Sequence, residues 1–248
     1  MFRTSLYCFL ILSAVSFDAL AIDETESIRQ RSQQKPNFTN IAIDLSGKKG
    51  NSETENIEFG IYHSQRFEQH FGYIMATREY SNSNGQKSAD NSFVHVRYNY
   101  YFTPKNSIEL FAQTNVDDFR SLESRELIGV GYREEINSMS AYGFGLFNEH
   151  EKYLVDEQYI KFEQNRINLY WVTTKQINPF VTLSNTLYYQ PNIDAFSDWR
   201  AFNKLSIKSK LTEHVSVNLG LLIEHDSRPI LSVEKTDTSY QAGFEIDF

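Results

Sequence analysis

The chain has 248 residues, 40% of them hydrophobic, with 15 Tyr and 19 Phe against 5 Pro, and a formal charge of -8. Its negative mean hydropathy excludes a bundle of membrane helices, and the aromatic excess excludes a disordered polyanion. The acidic balance gives no electrostatic basis for binding nucleic acid, and the single cysteine, Cys8, lies in a segment expected to be removed.

Residues 1–21 read as an export signal: Arg3, an apolar core from Leu6 to Phe17, and Ala19-Leu20-Ala21 in the small-x-small cleavage pattern. The mature chain then holds no disulfide, thiolate nucleophile or cysteine-based metal site. Residues 22–36 are polar, aperiodic and end in Pro36, which predicts a flexible periplasmic leader. Residues 37–248 form the folded part.

From there the hydrophobic period is two. A first strand is expected around Asn40 to Leu45. Ile57, Phe59 and Ile61 then alternate with polar or small residues, as do Phe71, Tyr73 and Met75, and Val94, Val96, Tyr98 and Tyr100. The pattern continues through Ile108 and Leu110, Ile128 and Val130, Tyr142, Phe144 and Leu146, and Ile160 and Phe162. Further strands contain Val181 to Leu187, Leu205 to Leu211, Val215 to Ile223, and Tyr240 to Phe248. No stretch sustains a period of 3.6, so the expected fold is all-β with twelve strands.

Strand length and link length separate a membrane barrel from a soluble sandwich. Several segments leave room for ten or more residues, whereas soluble strands have about five or six. Short links at Gln65-Arg66-Phe67, Thr103 to Asn106, Asn137-Ser138, Thr174 to Gln176 and Thr212 to His214 interleave with longer polar ones. The longer links are at Gly47 to Thr54, Ser81 to Asn91, Val116 to Ser124, Glu149 to Asp156, Asn192 to Asp198 and Asp226 to Asp237. Alternation of tight turns with long loops predicts a transmembrane antiparallel up-and-down β-barrel.

In such a barrel the residues out of phase with the apolar ones face the lumen: Glu58, Arg97, Glu109, Arg133, Lys161, Glu163, Lys204, Lys208, Glu224, Glu245 and Asp247. Interfacial girdles are expected from Tyr98, Tyr100, Tyr101 and Phe102, from Trp171, and from Tyr188, Tyr189, Trp199 and Phe202. The final run, Gln241-Ala242-Gly243-Phe244-Glu245-Ile246-Asp247-Phe248, looks like the C-terminal assembly signal of bacterial outer-membrane barrels. Closure of that edge strand against the first would satisfy backbone groups that lipid cannot.

The chain resembles the bacterial domain-of-unknown-function family that contains the salt-induced outer membrane protein. The resemblance is carried by Leu45-Ser46 with Gly50-Asn51-Ser52, by Asp118 to Arg125 leading into Gly129-Val130-Gly131-Tyr132, and above all by Asp226-Ser227-Arg228-Pro229 with Glu234 to Thr238. It covers about residues 40 to 248. It implies residence in the bacterial outer membrane, contact with its lipid and lipopolysaccharide, and recognition of Phe248 by barrel-assembly machinery. The family offers no catalytic residues to carry over.

No catalytic, cofactor-binding or metal-ligating residue is assigned. His225-Asp226-Ser227 has the residue types of a hydrolytic relay, but adjacent residues on an extended chain point in alternate directions. His63, His70, His95, His150, His214 and His225 are dispersed without a metal-binding spacing. The glycines at 129, 131, 143, 145, 220 and 243 follow no phosphate-loop pattern and relieve crowding in a curved sheet. The acidic residues Asp117, Asp118, Glu123, Glu149, Glu151, Asp156 and Glu157 read as solvated loop positions. The expected role is passive passage of ions or small solutes, or envelope maintenance under osmotic stress. An outer-membrane hydrolase and a loop-mediated adhesion module are the alternatives.

Overall fold

The computed structural model describes residues 35–49, 54–118, 121–212, 215–230 and 234–246, together with Glu26, Arg29 and Ser32. The export signal with Cys8, most of the leader, His214, Asp247 and Phe248 lie outside the described residues, as does the side chain of Glu245.

Among the described residues twelve strands follow one another in chain order: β1 (Asn37–Lys48), β2 (Thr54–Phe67), β3 (His70–Ser83), β4 (Gln86–Tyr101), β5 (Asn106–Asp117), β6 (Leu122–Asn137), β7 (Ser140–Val155), β8 (Gln158–Gln176), β9 (Val181–Pro191), β10 (Trp199–Lys210), β11 (Val215–Asp226) and β12 (Thr236–Ile246). They form one sheet in which each strand is hydrogen-bonded to its sequence neighbours, and every one of these pairings is antiparallel.

The strands contain from 11 to 19 residues. The longest strands run well past the ten or so residues expected from the sequence. The surplus replaces several expected loops. Ser81 to Asn91 is not a loop: β3 and β4 extend to a two-residue turn at Asn84-Gly85, with φ of 52° and 78°. Glu149 to Val155 is likewise strand, closed by Asp156-Glu157 with φ of 48° and 63°. Positive φ at both central residues gives a type I′ turn, whose twist matches that of the flanking strands. On the other side, Gln65-Arg66-Phe67 and Thr174 to Gln176 are strand residues, and their links fall a few positions later.

The two faces of the sheet have opposite chemistry. Along β4, Asn91, Phe93, His95, Arg97, Asn99 and Tyr101 are buried, while Val96, Tyr98 and Tyr100 between them are exposed. Ile57, Phe59 and Ile61 on β2, Ile108 and Leu110 on β5, Ile128 and Val130 on β6, Phe144 and Leu146 on β7, and Leu219, Leu221 and Ile223 on β11 are also exposed. The sheet is curled with the polar face inside, because side chains of non-adjacent strands meet there. Tyr170 on β8 donates to Glu109 on β5 at 2.6 Å, and Arg200 on β10 donates to Glu149 on β7 at 2.7 Å.

Register places glycine opposite an aromatic ring at two inner positions. Gly129 pairs with Phe111 and Gly143 with Tyr170. In each case the ring lies so close that a Cβ on the glycine would collide with it. The missing side chains leave room for both rings over the opposite strand, and from there the Tyr170 hydroxyl reaches Glu109.

Candidate functional site

Two charged clusters occupy the inner face, and alternation along the strands explains both. In the first, Arg97 of β4, Glu109 of β5, Arg133 of β6 and Tyr170 of β8 point inward beside Asn99 and Tyr101. Glu109 accepts from Asn99 Nδ2 at 2.7 Å and from Tyr170 Oη at 2.6 Å, with Arg97 at 3.8 Å. Arg133 donates through Nε to Glu135 at 2.8 Å and through Nη1 to Tyr170 Oη at 3.4 Å. The guanidinium carbons of Arg97 and Arg133 lie 5.3 Å from the Phe111 ring centroid and 5.6 Å from that of Tyr170, within cation–π range.

This cluster receives residues from ahead of β1. Glu26, Arg29 and Ser32 are helical and fully buried, so the expected flexible leader does not hold at these positions. Glu26 Oε1 accepts from Arg97 and Arg29, each at 3.3 Å, and Oε2 accepts from Arg133 at 3.0 Å. Arg29 donates to Glu109 Oε1 at 3.0 Å and to Tyr101 Oη at 3.5 Å. The Ser32 and Tyr62 hydroxyls are 2.8 Å apart. Burial alone would raise the Glu26 pKa, and Glu109 adds to that, but Arg133, Arg29 and Arg97 outweigh both and hold it below its ordinary value of 4.5.

The second cluster lies toward the link between β9 and β10. Glu149 is the hub: it accepts from Arg166 Nε at 2.9 Å, from Arg200 Nη1 at 2.7 Å and from Arg125 Nε. Arg200 also reaches Glu151 at 3.1 Å and Asp226 at 2.9 Å, and Arg166 reaches Asp198 at 3.0 Å. Glu149 and Glu151 are thus buried partners of arginines rather than solvated loop acids. Between the clusters Phe111, Leu127 and Phe147 pack together on the inner face, each two residues from a charge of one cluster or the other.

Of the expected lumenal charges, Arg97, Glu109 and Arg133 are buried inside. Glu58, Lys204, Lys208 and Glu224 are half-buried and in phase with inner residues. Lys161 and Glu163 are not inside. They are exposed and in phase with the outward Leu169 and Trp171, and Glu163 lies 3.7 Å from His150. The expected girdles also divide by parity: Tyr98, Tyr100, Trp171 and Tyr189 face outward, whereas Tyr101, Tyr188 and Phe202 are buried inside. Trp199 stacks on His225 with centroids 4.4 Å apart.

The triad-like residues do not engage one another. His225 Nδ1 bonds Thr236 at 2.8 Å, Asp226 accepts from Arg200, and Ser227 Oγ accepts from the Trp199 amide at 2.7 Å. Among the described residues, no group of three or more His, Cys, Asp or Glu side chains is placed to hold a metal ion, and no helix is long and apolar enough to cross a membrane.

Sequence reasoning missed Glu26, Arg29 and Ser32, together with Arg125, Arg166 and Arg200. The signal for the first three is their spacing of three residues, which puts them on one side of a helix. For Arg166 and Arg200 it is parity with the buried Tyr170 and Phe202.

A family model described as "Protein of unknown function, DUF481" matches residues 41–248. No curated protein matches the chain. Among solved structures, the chain is similar to a NanC porin at 13% identity and a TM-score of 0.49, over 84% of this chain and 100% of that one. It is similar to a KdgM porin at 13% identity and a TM-score of 0.41, over 85% and 99%. At these scores the likeness says nothing of what this chain carries or binds.

Proposed function

The chain belongs to the DUF481 family, and from that premise we propose that it is a β-barrel of the bacterial outer membrane, exported by residues 1–21 and spanning the membrane with residues 37–248. In this reading β12 closes against β1, the apolar face meets lipid, and the charged face lines a narrow lumen through which ions or small polar solutes pass passively. One observation carries it: large apolar side chains are exposed around the outside while whole Arg–Glu networks are buried within. In water that arrangement is inverted, since exposed apolar patches of this extent need a covering. In lipid it is the expected one, because outward residues meet hydrocarbon and inward ones pair or meet water.

The same alternation reconciles a negative mean hydropathy with membrane residence, since only every second strand residue has to be apolar. The lipid partners are the acyl chains against the outward band and lipopolysaccharide around the extended hairpins. The test is reconstitution of the mature chain in planar bilayers after confirming that the folded form migrates faster before boiling. Discrete conductance steps support the pore, and a well-folded, membrane-inserted chain that never conducts overturns it.

A further inference from the structure

We propose that the outer face of β9 and β10 is a dimer contact, met within the membrane by the same face of a second copy of this chain. The outer-membrane reading supplies the premise that this face lies out of water.

The first ground is an interruption of the apolar pattern. The outward residues of β9 run Val181, Leu183, Asn185, Leu187 and Tyr189, and those of β10 run Trp199, Ala201, Asn203, Leu205 and Ile207. Parity fixes the face: Leu187, Tyr189 and Ile207 are exposed, whereas Thr186, Tyr188 and Phe202 are buried inside. Each run carries one asparagine at its centre. The outward runs from Val94 to Tyr100 on β4 and from Val215 to Ile223 on β11 carry none. Among the described residues, Asn185 and Asn203 are the only outward Asn or Gln side chains with apolar outward neighbours on both sides.

The second ground is depth and adjacency. Asn185 is the fifth of 11 residues in β9 and Asn203 the fifth of 12 in β10. A tilted strand spans the hydrocarbon with about 9–11 residues, so mid-strand positions here lie far from either headgroup layer. Register sets Asn203 opposite Leu187 and Asn185 opposite Leu205, which puts the two amides on one diagonal of a single patch.

The third ground is unused hydrogen-bonding capacity. Asn185 Nδ2 donates to the Lys204 carbonyl at 3.3 Å and Asn203 Nδ2 to the Thr186 carbonyl at 3.5 Å, both long for such bonds. Each amide thereby uses one N–H and keeps a second N–H and its carbonyl oxygen. The outward pair Asn148 and Asn165, beyond the apolar runs, instead bond each other at 3.1 Å. Hydrocarbon offers neither donor nor acceptor, so amides left facing it are costly.

Hydrogen-bond complementarity selects the occupant. An acyl chain brings no polar atom to this depth, and a second copy brings the same two amides. A two-fold axis along the membrane normal keeps both copies upright and each asparagine at the depth of its counterpart. A primary amide is its own complement, giving an N–H and accepting one. Asn185, Ala201 and Asn203 are also smaller than Leu187, Leu205 and Tyr189 around them, which lets two walls approach closely.

The test is energy transfer between copies of the full chain carrying Cys8→Ser and Lys161→Cys, labelled with donor or acceptor at the exposed position 161 and folded in vesicles. Migration before boiling checks the fold. Transfer should rise with the protein-to-lipid ratio and fall when unlabelled parent is added. Asn185→Leu combined with Asn203→Leu makes both runs wholly apolar, so it should fold, and it should raise the ratio at half-maximal transfer by at least about tenfold. Asn148→Leu combined with Asn165→Leu should leave that ratio in place. A parent chain that shows no transfer at any ratio, transfer unmoved by the leucines at 185 and 203, or an equal shift from those at 148 and 165 would each overturn the proposal. A chain that does not insert overturns the outer-membrane reading and the dimer with it, whereas an inserted chain without transfer overturns the dimer alone.

Discussion

Gly143→Ala tests the packing that shapes the inner wall. The new Cβ would collide with the Tyr170 ring, and that ring cannot swing away without losing its 2.6 Å bond to buried Glu109. An extra methyl forced into a packed site costs about 1–3 kcal/mol. Losing a hydrogen bond to a buried charged group costs about 1.5–3 kcal/mol. The ring either stays and is overpacked or moves and loses the bond, so about 1–3 kcal/mol is expected, a sizeable share of a typical stability of about 5–15 kcal/mol. The assay is urea unfolding in lipid vesicles followed by tryptophan fluorescence. Gly72→Ala is the control, since a Cβ there meets only the Arg97 carbonyl oxygen at 3.7 Å, and it should stay within about 0.5 kcal/mol of the parent. If the ring is the cause, adding Gly143→Ala to Tyr170→Ala costs at most about 0.5 kcal/mol more than Tyr170→Ala alone. Additive costs in that cycle would refute the reasoning.

Glu149→Gln removes the common counter-ion of Arg125, Arg166 and Arg200, and the same unfolding assay should show a loss of about 3–5 kcal/mol. Lys161→Ala and Glu163→Ala, on the exposed outer face, should each change stability by less than about 0.5 kcal/mol. Docking of the N-terminal helix should weaken in acid. The carboxyl of Glu26, facing Arg29, Arg97, Arg133 and Glu109, is held below the 4.5 it has when undocked. Its contribution is thus fully present above 4.5 and is lost as the pH falls through the lowered value. Hydrogen exchange at the amides of Glu26, Arg29 and Ser32, corrected for intrinsic rates, should rise over that window, and Glu26→Gln should remove the dependence.

Strand number and order were legible because a strand with an apolar face on one side and charge on the other must alternate. Ile57, Phe59 and Ile61, or Val96 and Tyr98, announce their face directly. What alternation could not report is where a strand stops. Beyond the apolar band both faces are polar, the inner one carrying acids paired with buried arginines, so β7 continues through Asn148, Glu149, His150 and Glu151 with no hydrophobic period, and this stretch reads as a loop. The same loss of contrast put Lys161 and Glu163 on the wrong face. At Asn84-Gly85 the sequence did carry the answer, since that dipeptide is the strongest hairpin signal, but the polar flanks concealed the paired strands.

The N-terminal helix was hidden for the opposite reason. A search for amphipathic helices looks for an apolar face, and this one presents Glu26, Arg29 and Ser32 to an interior that is itself charged. The clusters needed the fold as well, because Glu109 and Tyr170 are 61 residues apart and only the curl of the sheet brings them together.

The central claim is that the outer face meets lipid. The chain contains two tryptophans, Trp171 and Trp199, both at outward positions, with Trp171 46% exposed. Fluorescence quenching in vesicles of brominated phospholipid is therefore the most direct measurement and needs no mutation. Strong quenching by the bromines with weak quenching by aqueous iodide is the predicted result. Quenching by iodide alone would contradict it.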